Sequence, residues 1–186
     1  IFSILTTVFT LIAANLYPLY PTQLSLLGAF TIGTPAFVLA LQPNKELIRG
    51  DFLVNVILKA LPAGLADFIM LAAISIHGNI LGMSNEQIST VAIVILLFIG
   101  LAALVRICRP FDGIRILLCL AMAAGIVICV LNFKGIFAIA TVNMIMLRMI
   151  IMYALIAGVL FCIMCKSVGG WIDYMERHSK LSLIHI

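Results

Sequence analysis

The chain predicts an all-α fold: a polytopic transmembrane bundle of six membrane helices, entered part-way through the first. Three observations carry this. The composition is too apolar for a soluble core, the apolar residues fall in six long runs, and the basic residues are confined to alternate connections. Of 186 residues, 65% are apolar and 10% charged, against roughly 45–50% and 25% in soluble domains. A soluble chain of this size buries only about 70% of its unfolded surface, so the surplus must face lipid. The net charge of +4 is scattered along the chain. A nucleic-acid footprint needs clustered Lys and Arg, so nucleic acid is excluded as a partner.

A bilayer-spanning helix needs about 20 mainly apolar residues. Runs of this kind lie at 1–16, 23–42, 61–78, 88–105, 114–131 and 142–165. They are continuous, without the alternating ten-residue pattern of a membrane barrel, and helices satisfy their backbone groups within each segment. Ile1 opens inside the first run with no charged stretch before it, which reads as a truncated helix and not a signal peptide. Residues 1–180 form one membrane domain. Residues 181–186 (Leu181-Ser182-Leu183-Ile184-His185-Ile186) read as a non-native tail without structure of their own.

Orientation follows from the connections. Lys45, Arg49 and Lys59 lie in 43–60; Arg106, Arg109 and Arg115 in 106–115; Lys166, Arg177 and Lys180 in the tail. The opposite side carries 17–22 without charge, 79–87 with Glu86, and 132–141 with only Lys134. Nine basic residues against one place both ends in the cytoplasm of a multi-pass cell-membrane protein. Arg148, near the outer end of the sixth run, snorkels to the interface, pairs with Glu86 or has a functional role. The 43–60 connection has loosely helical spacing of apolar and charged residues and is expected as a short amphipathic surface helix.

The second run holds the most chemistry: Gly28-Ala29-Phe30-Thr31-Ile32-Gly33-Thr34-Pro35. Proline lacks an N–H and clashes with the carbonyl four residues back, here that of Thr31. Gly28 and Gly33 loosen the same turns. Backbone unwound near the membrane midplane can coordinate a cation through freed carbonyls, and the hydroxyls of Thr31 and Thr34 could add ligands. The alternative is a kinked helix whose glycines pack on a neighbour.

Other polar residues in the runs admit two readings each. Asp67, about two turns inside the third run, is either a functional intramembrane acid or an interfacial residue bonded to a neighbour or to water. Asn15 could face Thr22 or Gln23 across the first turn. Ser3 and Thr6 could point at the broken second helix. Asn143 is a helix cap, and Ala121 with Gly125 form a small-residue packing pair. The cysteines Cys108, Cys119, Cys129, Cys162 and Cys165 sit mostly within apolar runs, unlike an extracellular disulfide framework. The C-x-x-C of Cys162 and Cys165 reads as packed helix surface before it reads as a redox or metal motif.

Tyr20-Pro21-Thr22-Gln23-Leu24, then Thr31-Ile32-Gly33-Thr34-Pro35-Ala36, then Leu41-Gln42-Pro43-Asn44 resemble the fifth-to-sixth membrane helix region of P-type cation ATPases. The family has a P-x-Q-L turn, a broken T-D-G-x-P-A helix and an N-P-containing exit. The similarity is to the bacterial calcium-type "cation-transporting ATPase E" group. It implies the last six membrane helices of an ATP-driven pump, with a transported-cation site at Gly28, Thr31 and Thr34, and with Gly33, Pro35, Asp67, Asn15, Gln23 and Ser3 as further candidates. Ile32 stands where the family carries a cation-binding Asp. Ca²⁺ favours several oxygens including carboxylates, so Ca²⁺ is the first expectation by resemblance, with Mg²⁺, Mn²⁺ and monovalent ions open.

The family's D-K-T-G-T and T-G-D-G-x-N-D strings do not occur in these residues, nor does a G-x-x-x-x-G-K-[ST] loop. This stretch therefore carries no catalytic residue and no cofactor of its own. ATP and Mg²⁺ are implied for the intact pump, and the lipid bilayer, the cation and upstream pump domains are the implied partners. A small six-helix secondary transporter or channel, or a membrane assembly subunit, are the alternatives. An upstream phosphorylation motif separates the pump from both.

Overall fold

Apolar runs in a medium without water have one local solution, the helix. The computed structural model describes residues 2–13, 18–41, 52–109 and 111–184, and among these there is no strand. The elements are α1 (Phe2–Ala13), α2 (Pro21–Gly28), a π-helical turn (Ala29–Gly33), α3 (Thr34–Ala40), α4 (Phe52–Ile80), α5 (Asn85–Ile107), α6 (Gly113–Asn132) and α7 (Met144–Ile184). Five stretches are long and apolar enough to cross a membrane: Pro21–Ala40, Ile57–Ile80, Asn85–Ile107, Gly113–Asn132 and Met144–Gly170. The first run contributes the shorter apolar helix Phe2–Leu11.

Local chemistry sets the helix ends. Gly82 takes a positive φ of 66°. The N–H of Met83 reaches the Gly78 carbonyl at 3.0 Å and that of Gly82 the Asn79 carbonyl at 3.1 Å, the Schellman pattern that closes a helix. Ser84 then opens α5 with a capping box: Gln87 N–H donates to Ser84 Oγ at 3.4 Å, and Ser84 N–H to Gln87 Oε1 at 3.1 Å. Asp112 Oδ1 accepts from Gly113 N–H at the start of α6. Asn143 Oδ1 accepts from Met146 N–H at 2.9 Å, so the cap expected there is present.

α5 is the central helix. Its span is 61% buried, against 17–33% for the other four, and α4, α7, α6, α2 and the π turn all pack on it. A helix that is apolar on every side needs such a position. Val91, Ile95, Leu96 and Ile99 on successive faces are fully buried. On the bundle's outside Leu117, Leu155 and Val159 are 62–69% exposed, as expected of side chains that meet acyl tails.

The spans alternate in direction. Tyr153 Oη of α7 donates to the Ala73 carbonyl of α4 and meets His77 Nδ1, whereas Arg106 of α5 reaches the Cys165 carbonyl of α7. The start of α2, the start of α5 and the 133–143 connection therefore share one end, joined by side-chain hydrogen bonds. Arg106, Arg109, Arg115 and Lys166 gather at the other.

Two boundary expectations change. Residues 43–51 of the proposed surface helix lie outside the described residues, while 52–60 are the opening turns of α4 and not a separate element. Residues 166–184, read as tail, continue α7 as helix. A helix does not stop where its side chains turn polar. No proline follows Cys165, and α7 runs on through Gly169 and Gly170.

Candidate functional site

The second span changes pitch where the sequence places its glycines and proline. The N–H of Thr34 bonds to the Ala29 carbonyl, five residues back, which widens the helix by one residue. Pro35 supplies no N–H to the Thr31 carbonyl and crowds it. Widening the turn is the response, and π turns of this kind are frequent at functional sites. The expectation of unwound backbone is corrected: the segment remains helical, as a π turn flanked by α2 and α3.

Two glycines on neighbouring helices seat this turn. A Cβ placed on Gly100 of α5 would overlap the Thr31 methyl and lie 2.8 Å from Thr31 Cβ; a Cβ on Gly125 of α6 would overlap the edge of the Phe30 ring. The packing pair foreseen on α6 is thus real at Gly125, while Ala121 is exposed. Thr31 Oγ donates to the Leu27 carbonyl at 2.7 Å. That bond holds the hydroxyl in one rotamer, with its methyl in the hollow at Gly100 and its lone pairs available.

The opposite face of the turn is open. Gly33, Thr34 and Ala36 are exposed there, together with Ile32 at 68% and Phe37 at 66%. The carbonyl oxygen of Gly28 lies 3.5 Å from where a Gly33 Cβ would stand. That distance is an ordinary contact, the carbonyl lying one π-helical repeat, five residues, before Gly33. Thr31, Thr34, Gly28 and Gly33 are therefore brought together on about one and a half turns. Ile32, not an acid, occupies the open face beside them. α5 offers this turn only apolar side chains and Gly100, so every oxygen here comes from the second span.

The remaining candidates are dispersed. Gln23 is fully buried at the other end of α2. Its Oε1 accepts from Tyr20 N–H at 3.2 Å, and its Nε2 donates to Ser89 Oγ at 3.3 Å and to the Ala138 carbonyl at 3.2 Å. Thr90 Oγ donates to the Glu86 carbonyl and accepts from Ala140 N–H at 2.9 Å. Gln23 is thus a structural clasp tying α2, α5 and the connection before α7. Ala138, whose carbonyl it holds, has a positive φ of 47°.

Asp67 lies on the α4 face shared with Ala63, Met70, Leu71 and Ile74, all of which pack in the core. Its Oδ1 is buried and has no hydrogen-bond partner among the described residues. The bonded-neighbour reading of this oxygen is therefore not what the structure shows. α1 leans on α4, with Phe9 edge-on to Phe68. Thr6 is buried and donates to the Phe2 carbonyl, while Ser3 is exposed. The elements packed on the π turn are α2, α3, α5 and α6, so Ser3 and Thr6 are not brought to it. Asn15 lies outside the described residues.

Arg148 is exposed on the second turn of α7, with no ion pair to Glu86 among the described residues. All five cysteines are free, and the described residues contain no group of three or more His, Cys, Asp or Glu able to hold a metal. A cavity of about 310 Å³ between α5 and α6 is walled by apolar side chains such as Val94, Phe98 and Ile126, and offers a cation nothing.

Sequence reasoning missed Gly100, Ser89 and Thr90. Gly100 was detectable as an isolated glycine inside an apolar helix, but the residue it receives depends on how α2 and α5 cross.

Comparison with known proteins adds an independent line. The chain is 35% identical over 117 residues to the calcium-transporting ATPase CtpE of Mycobacterium bovis, covering 61% of this chain and 15% of that protein. To the CtpE of Mycolicibacterium smegmatis it is 35% identical over 107 residues, 55% and 14% of the two chains. It is 31% identical over 110 residues to the cation-transporting ATPase exp7 of Streptococcus pneumoniae, 59% and 14%. The matched stretch is thus about one seventh of the curated relatives' length. No family model and no solved structure matches the chain.

Proposed function

We propose that this homologue of one part of the cation-transporting ATPases is the membrane-spanning part of an ATP-driven P-type cation pump, and that its second span lines the ion's path. The observation that carries this reading is the π turn Ala29–Gly33 inside a bilayer-length helix. Regular transmembrane helix hides its carbonyls in its own hydrogen bonds. Here Pro35 gives the Thr31 carbonyl no N–H, and the hydroxyls of Thr31 and Thr34 and the glycines Gly28 and Gly33 lie within the same turns. Hydroxyl and carbonyl oxygens are the donors that hard cations select. A π turn can also shift its extra residue along the helix, which suits a site that must open first to one side and then to the other, provided the ion binds one state better.

The transported ion is Ca²⁺ in this reading, in line with what the CtpE names say of those proteins. Ile32 gives the turn no carboxylate, so the site relies on neutral oxygens or on acids from other parts of the intact protein. In that protein ATP and Mg²⁺ act on domains outside this chain. Phosphorylation there drives the bundle between its two states. The protein resides in a bacterial cell membrane with both ends of this segment in the cytoplasm, where the end bearing Arg106, Arg109 and Lys166 lies.

The test is ATP hydrolysis by the full-length protein as a function of Ca²⁺. Thr31→Val keeps the shape and removes the ligand oxygen. It should raise the half-saturating Ca²⁺ concentration by about tenfold, the equivalent of about 1.4 kcal/mol. An unchanged half-saturation point would remove the π turn from the ion's path, and absence of any cation-stimulated hydrolysis would remove the pump.

A further inference from the structure

The Gly100 hollow is one of two tight points around the π turn, and it lies on a helix that contributes no ligand atom. We propose that Gly100 is a positioning residue for the cation path: by admitting the Thr31 methyl, it fixes the rotamer that aims the Thr31 hydroxyl and sets how deeply the π turn sits against α5. This rests on reading the turn as the path of the ion.

The argument is steric and directional. Thr31 has three substituents at Cβ, and staggered rotamers allow few arrangements in a helix. With Oγ bonded to the Leu27 carbonyl at 2.7 Å, the methyl must point at α5. There it meets Gly100, where a Cβ would overlap the methyl, stand 2.8 Å from Thr31 Cβ and 3.4 Å from Oγ. Two of these atoms belong to the stiff, branched base of the side chain, so no rotamer change clears both. A methyl at position 100 therefore pushes the turn's backbone away or turns the hydroxyl off the Leu27 carbonyl. Gly125 makes an instructive contrast. Its hypothetical Cβ meets the outer edge of the Phe30 ring, which can swing aside by rotation about χ1 and χ2. The two glycines look alike in sequence, yet only Gly100 controls a backbone position.

The experiment uses the full-length protein with Ca²⁺ as the probe. It reads the half-saturating concentration, the maximal hydrolysis rate, and amide hydrogen exchange over the peptide containing residues 29–40. Gly100→Ala should raise half-saturation by about tenfold or more, the scale of overpacking a tight contact, with a smaller change in maximal rate and faster exchange in that peptide. Gly125→Ala should shift half-saturation less than about threefold, since only a ring edge has to move. Adding Thr31→Ser to Gly100→Ala removes the overlapping methyl and keeps the hydroxyl, and should recover part of the lost affinity, the 2.8 Å approach to the Cβ of residue 31 remaining.

Three results would overturn the proposal: an unchanged half-saturation in Gly100→Ala, a larger effect from Gly125→Ala, or no recovery in the double variant. If Gly100→Ala fails to accumulate in the membrane, the double variant decides. Recovered accumulation with half-saturation near that of Thr31→Ser alone supports positioning through the Thr31 methyl, and continued failure to accumulate refutes it. The two readings fail separately. Faster exchange with normal affinity in Gly100→Ala, alongside weakened affinity in Thr31→Val, discards the positioning role alone. Normal affinity in both variants discards the ion path itself.

Discussion

Gln23 shows how much one buried amide can hold. All three of its hydrogen bonds cross between segments distant in sequence or cap its own helix. Gln23→Leu would leave the Tyr20 N–H, the Ser89 hydroxyl and the Ala138 carbonyl to find other partners. Orphaned buried groups cost about 1–3 kcal/mol each, partly recovered at a membrane interface by water. We expect Gln23→Leu to lower the thermal midpoint of the detergent-solubilised protein clearly while leaving the half-saturating cation concentration near wild type, which a melting curve beside a hydrolysis titration would check. Asp67 presents the opposite case. Its Oδ1 has no partner among the described residues, and an unpaired buried polar group destabilises a fold. Asp67→Leu should therefore raise the thermal midpoint. Should it also reduce transport, the acid is retained for function at the expense of stability; unchanged transport would leave it without a functional role.

At the scale of the element, the second span is a helix in which proline and glycine alter pitch without breaking continuity. Pro35→Ala would restore an N–H opposite the Thr31 carbonyl and remove the ring's clash, so the turn can tighten from π to α. That withdraws one residue of width from the face bearing Gly28, Gly33 and Thr34. The expected outcome in the full-length protein is a stabler span and about tenfold weaker apparent cation affinity, taking a displaced ligand set as worth about 1.4 kcal/mol. A hydrolysis titration against cation concentration checks it. α4 carries Pro62 inside its 29 residues and remains one helix. A proline alone therefore does not open a π turn here; the glycines on either side and the hollow at Gly100 are the added conditions.

For the whole molecule, the alternation of spans places the clasp of Gln23, Ser89 and Ala138 at one end and Arg106, Arg109, Arg115 and Lys166 at the other. In the orientation proposed above, the second end, which carries the excess of positive charge, is the cytoplasmic one. In a cysteine-free background, a cysteine at Ile136 should react in intact cells with a membrane-impermeant maleimide, and a cysteine at Arg109 should react only after the membrane is opened. The reverse pattern would invert the orientation. The broad exposed faces, with Leu11 and Leu155 among them, are apolar surface of the kind that acyl tails cover.

The sequence by itself determined that the chain crosses a membrane as helices, where those helices lie and which ends are basic. Those properties depend on local composition, on the length of the apolar runs and on the charges between them. It also marked residues 28–35 as irregular, because proline and glycine act on their own turns. Tertiary structure alone decided that the irregularity is a π turn and not unwound chain, that Gly100 and Gly125 receive Thr31 and Phe30, and that Gln23 is a clasp while Asp67 Oδ1 has no partner among the described residues. Which side chain fills a hollow depends on where two helices cross, and residues far apart in sequence carry no local sign of that crossing.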